Sequence, residues 1–101
     1  MRRMIPQPED VVAELAKHRV ELRESGVASL LLFGSVARRQ ATETSDVDLL
    51  VEFDRAVGLF AVIRLQARLE SWLGRRVDLV PTDSLRPELR ERVLTEGVRA
   101  A

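Results

Sequence analysis

Two apolar runs, separated by a polar stretch, set the pattern of this chain: Leu30-Leu31-Leu32-Phe33, cut off at Gly34-Ser35, and the run from Val47 to Phe53. Upstream, Val11, Leu15, His18 and Leu22 recur at helical spacing, which predicts one helix from Glu9 to about Glu24, opened by Pro6 and Pro8 and closed by Gly26. The first strand covers Ser29 to Phe33 after Val27-Ala28, and a short helix follows from Val36 through Arg39. Gln40 to Ser45 has no apolar period and reads as a loop. Leu59 to Leu73 carries apolar residues around more than a narrow stripe, predicting a helix that buries much of its surface and ends at Gly74. A third strand, Arg76 to Val80, and a last helix from about Leu85 to Glu96, with Leu85, Leu89 and Val93 on its inward face, complete the order. The expected fold class is α/β (α+β): a small mixed sheet of three strands, with room for a fourth short one, and helices packed on one face. One domain is expected over residues 1–101.

The period of two along a strand gives the second run its chemical interest. Side chains two apart share a face, so Asp46 and Asp48 lie on one side while Val47, Leu49, Val51 and Phe53 lie on the other. Two carboxylates about 4 Å apart repel by up to about 4 kcal/mol at an effective dielectric near 20. A divalent cation between them resolves that conflict, and hard oxygen donors favour Mg²⁺, with Mn²⁺ as a substitute. The Gly34-Ser35 turn supplies the complement: Gly34 allows close backbone approach, Ser35 is placed to cap the short helix, and the free N–H groups there suit phosphate. Phosphoryl chemistry also needs a group to orient and deprotonate an attacking hydroxyl. Asp78, between core-facing Val77 and Leu79, is the candidate.

Gly34-Ser35-Val36-Ala37-Arg38 resembles a GSxAR motif and Ser45-Asp46-Val47-Asp48-Leu49 an SDxDL motif. With a later aspartate in a hydrophobic strand, the set is similar to the nucleotidyltransferase superfamily typified by DNA polymerase beta, and specifically to its minimal branch of antitoxins against HEPN-domain toxins. The likeness runs from about Val27 to Pro81. It implies a nucleotidyltransferase that moves a nucleoside monophosphate, AMP from ATP, onto a hydroxyl of a HEPN-type toxin. In that reading Asp46, Asp48 and Asp78 are catalytic and metal-binding, and Gly34, Ser35 and Arg38 bind the nucleotide. Arg39 departs from the resemblance, because the position after the arginine usually carries glycine.

Composition narrows the partners. Sixteen basic and sixteen acidic residues cancel, and there is no Tyr, one Trp and three Phe. A duplex binder would show a basic excess, and a single-strand binder more stacking platforms, so long nucleic acid is not an expected substrate. Zero cysteines exclude disulfides and thiolate metal sites. No apolar run approaches a membrane span, and the Met1-Arg2-Arg3-Met4 start is not followed by a signal-peptide apolar region. The expected location is the cytoplasm. His18 reads as a partly buried helix-face histidine without a function, and Trp72 as packing rather than base stacking.

Three readings remain at this level: an adenylylating antitoxin forming a hetero-oligomer with its toxin, a non-catalytic antitoxin that neutralises its partner by binding alone, and a small-molecule nucleotidyltransferase. The tyrosine acceptor implied by the resemblance must lie on another chain, since this one has none.

Overall fold

Pro8, fixed at the φ a helix needs and at a position where no N–H is missed, starts α1 (Pro8–Ala16), and Glu9 and Asp10 in the first turn complement its dipole. The structure, a computed structural model describing residues 5–101, turns the single helix expected here into two. The Met1-Arg2-Arg3-Met4 start lies outside the described residues. His18 leaves helical geometry (φ −116, ψ 26), and α2 (Arg19–Glu24) begins after it. The break has a partner: the His18 ring stacks on Trp72 with centroids 3.9 Å apart and planes 6° apart, while its two nitrogens face Glu14 (3.2 Å) and Glu21 (3.4 Å). Val11 and Leu15 before the break and Leu22 after it are all buried.

The sheet has the order β3-β2-β1-β4 and is mixed. β1 (Val27–Phe33) runs antiparallel to β2 (Val47–Phe53), with Leu30 opposite Val51, Leu32 opposite Leu49 and Phe33 opposite Asp48. An irregularity between Val27 and Ser29 adds one residue to β1, which returns Val27 to the core face opposite Phe53. β3 (Val77–Pro81) pairs parallel to β2 across α4 (Leu59–Leu73), which closes at Gly74 in the left-handed conformation (φ 69). The fourth strand is β4 (Val98–Arg99), two residues at the outer edge of β1. Two residues are too few for a period-2 signal.

Leu30, Leu32, Val47, Leu49, Val51, Val77 and Leu79 form the buried sheet face, packed with Val11, Leu15 and Leu22 and with Leu65 and Leu69 of α4. The expectation for α4 fails at its start, where Leu59 (72 %), Phe60 (75 %) and Ile63 (52 %) are exposed. Their positions point away from the side that buries Leu65 and Leu69. A 3₁₀ turn (Thr82–Ser84) precedes α5 (Pro87–Glu96), which starts two residues later than expected, at Pro87. α5 departs from the one-face arrangement of helices. Arg90 and Leu94 share a cleft with Leu31 and Leu50, which belong to the sheet face that also bears Asp48. That cover explains why Leu50 is buried, while of α5 only Val93 is buried and Leu89 is not. Among the described residues, no helix is long and apolar enough to cross a membrane.

Candidate active site

Because β1 is antiparallel to β2 and β2 parallel to β3, the C-terminal end of β1 and the N-terminal ends of β2 and β3 meet at one end of the sheet. Every residue singled out from the sequence lies there. α3 (Gly34–Ala37) follows β1 without a linker. Asp48 is the second residue of β2 and Asp78 the second of β3, and the two are direct partners in the parallel register. Asp46 stands one residue before β2, with its neighbour Val47 donating its N–H to Arg76 O at 2.9 Å.

The carboxyl groups differ in surroundings although they share a face. Asp46 and Asp78 are exposed, and Asp48 is half-buried between Phe33 and Asp78. Burial pushes the Asp48 carboxyl above the ordinary carboxylate range; the negative charges of Asp78 and then Asp46 push it the same way, and Arg38 opposes them. The repulsion expected among these acids is therefore felt at Asp48.

Gly34 plays a closer part than a flexible turn. Its φ is +74, and a Cβ there would fall on Asp48 Oδ2 and stand 3.1 Å from Asp48 Cγ. A side chain at residue 34 and a carboxylate at residue 48 exclude each other. Ser35 is not the helix cap: α3 begins two residues earlier than that role requires, Phe33 is the N-cap, and no side chain caps it. Arg38 ends α3, exposed, with Nε donating to Gln40 Oε1 at 3.4 Å. Arg39, in the place where glycine is usual, has φ 60. Glycine adopts that conformation without the Cβ penalty, and here the exposed arginine holds it while pairing with Glu9.

Among the described residues, no three His, Asp or Glu side chains are gathered, as they stand, into a group that could hold a metal ion. The donor chemistry nevertheless suits a hard divalent cation. Three carboxyl groups share one sheet face, burial and the charges of the other two oppose ionisation of Asp48, and the space a Cβ would fill at residue 34 is given over to the Asp48 carboxylate.

Composition and pattern did not disclose Arg75. Its Nη1 donates to Glu43 O (3.1 Å) and Ser45 O (2.9 Å), across the loop that leads to Asp46. Glu70 on α4 accepts the Val77 N–H at 3.0 Å. These three bonds join side chains to backbone across 32, 30 and 7 residues, which leaves no periodic trace.

Compared with known proteins, residues 13–100 match the nucleotidyltransferase domain family. The protein adenylyltransferase MntA of Thermococcus cleftensis is 44 % identical over 91 residues, covering 89 % of this chain and 92 % of the relative. The chain belongs to the nucleotidyltransferase family. Among solved structures, one assigned as a minimal nucleotidyltransferase superposes with a TM-score of 0.80 at 40 % identity, covering 91 % of this chain and 94 % of that one. Another, an MNT antitoxin in complex with the tri-AMPylated HEPN toxin of Shewanella oneidensis, gives 0.66 at 26 % identity over 90 % of this chain and 71 % of its counterpart. The nucleotidyltransferase is thus of the minimal, polymerase-beta-like type that its GSxAR and SDxDL segments resemble, and the four-stranded mixed sheet is that fold.

Proposed function

We propose that this nucleotidyltransferase transfers AMP from ATP to a hydroxyl of a HEPN-type partner protein and so acts as its antitoxin. The observation that carries the reading is the pairing of Asp48 with Asp78 in register, with Asp46 beside them and Gly34 closed against Asp48. Asp46 and Asp48 would hold Mg²⁺ or Mn²⁺, with Asp78 completing the acceptor side. The bound cation supplies the positive charge that lets a triphosphate approach three carboxylates and stabilises the departing pyrophosphate. Asp78, exposed at the start of β3, takes the proton of the acceptor hydroxyl as its oxygen attacks the α-phosphorus and the bond to pyrophosphate breaks. The first-turn amides of α3 at Gly34 and Ser35, with the guanidinium of Arg38, hold the β- and γ-phosphates.

The test is incubation with a HEPN-type partner, ATP and Mg²⁺ followed by intact-mass measurement. A mass gain of one or more AMP units on the partner is expected. An unchanged partner with every nucleoside triphosphate, or transfer that persists in chelator, overturns the reading.

A second reading, neutralisation by binding alone, is favoured by the outer side of α4. Leu59, Phe60 and Ile63 together expose an apolar patch on the order of a few hundred Å², the size at which exposed patches mark partner surfaces. Phe60→Glu tests the docking face. If docking there carries neutralisation, the variant loses both association with the partner and neutralisation; association that persists in the variant overturns this reading.

A further inference from the structure

We infer that Arg75 is a positioning residue for Asp46. This deepens the metal-and-nucleotide reading above and rests on it, although its geometry does not.

Asp46 lies in neither strand nor helix; it follows a polar loop, Gln40 to Ser45, and no side chain in that stretch is buried. Backbone direction therefore has to be imposed from outside. Within the loop, Ser45 Oγ accepts the Thr42 N–H at 2.8 Å and the Ser45 N–H reaches Thr42 O at 3.2 Å, which closes a turn but does not orient it relative to the sheet. The orientation comes from two consecutive residues at the head of β3. Arg75 Nη1 binds the carbonyls of Glu43 and Ser45 on one side of Asp46, and Arg76 O accepts the Val47 N–H on the other. The residues flanking Asp46 are thus both fastened to Arg75-Arg76, and two residues later the same segment delivers Asp78.

The base of the clamp is itself fixed. Gly74 N–H reaches Glu70 O at 2.8 Å, and Glu70 Oε2 takes the Val77 N–H, so Arg75 leaves a closed helix end and enters a pinned strand. A cationic donor suits the task, because hydrogen bonds from charged groups are roughly twice as strong as neutral ones. One nitrogen serving two carbonyls also fixes their separation. The consequence is that the loop entering Asp46 is tied, by one side chain in addition to the backbone pairing of Val47, to the strand that carries Asp78, 32 residues away in sequence.

The test uses full-length protein labelled with ¹⁵N. In Arg75→Ala, amide exchange at residues 42–46 is expected to rise about tenfold or more, as loss of charged hydrogen bonds implies, with Leu32 and Leu49 amides unchanged. Residual dipolar couplings of Ser45 and Asp46 should average towards zero. Affinity for Mn²⁺ with ATP should fall in parallel, and Arg75→Lys, which keeps a cationic donor, should restore part of each. Unchanged loop exchange and couplings in Arg75→Ala overturn the inference. So does a loosened loop with undiminished Mn²⁺ and ATP binding, since Asp46 would then not depend on the clamp. Wild-type protein that binds no Mn²⁺ and ATP at all defeats the nucleotidyl-transfer reading instead, leaving exchange and couplings to judge Arg75. A uniform rise in exchange across the sheet in both variants would show a stability role and likewise overturn it.

Discussion

Gly34 and Asp48 compete for one space: a Cβ on the first would overlap a carboxylate oxygen of the second. The glycine of the GS turn is required by an aspartate fourteen residues further on as well as by its own φ of +74. Gly34→Ala is therefore expected to cost about 1 kcal/mol for the backbone conformation alone, plus the displacement of Asp48. Urea unfolding measures the first and calorimetric titration of Mg²⁺ with ATP the second. Gly34→Val should bind no nucleotide even where the helical dichroism survives.

Ionisation of Asp48 opposes folding. Its carboxyl is raised in the folded state by burial and by Asp78 and Asp46. Stability is thus full while the group is protonated in both states, and it is lost as pH rises from the ordinary carboxylate range through the folded value. Asp48→Asn should stabilise the fold at pH 7 and make no difference at acid pH below that range. Thermal unfolding at both pH values checks the sign. Mg²⁺ should raise the midpoint of the wild type and leave the variant unmoved.

Asp78→Asn keeps the shape of the second β3 residue and removes its capacity to accept a proton. AMP transfer to the partner should drop by roughly 10²- to 10⁴-fold, measured by mass spectrometry, with association of the two proteins intact. Should the variant protect cells from the partner as well as the wild type does, transfer is dispensable.

Arg39→Gly places at φ 60 the residue best suited to it, at the expense of an exposed ion pair with Glu9. The expected outcome is an unfolding midpoint at or above that of the wild type, with nucleotide binding retained. A clear drop would show that the Glu9 pair, which ties α1 to the turn after α3, outweighs the backbone strain.

The parts of this molecule visible in the sequence are those with a period. The alternation around Asp46 and Asp48, the core positions Val77 and Leu79 around Asp78, and the full extent of α4 from Leu59 to Leu73 all emerged from spacing. The break at His18 did not, because it depends on a ring stack with Trp72, 54 residues away in sequence. Ser35 was misplaced as a cap because helix α3 can start on glycine when β1 runs straight into it. α5 reads as a helix for the core face, yet its Leu94 shares a cleft with Leu31 and Leu50 on the other one, and a pattern of apolar positions carries no label for which face of a sheet it will find. Arg75, by contrast, was one arginine among fifteen.

β2 carries one further consequence. Val47, Leu49 and Val51 on one side and Asp48 on the other are successive letters of a single strand paired on both edges. Sliding it by one residue would bury the acid and expose Val47, Leu49 and Val51 in the same movement. A register slip therefore cannot yield a folded but inert copy, because the shift that displaces Asp48 also dissolves the core.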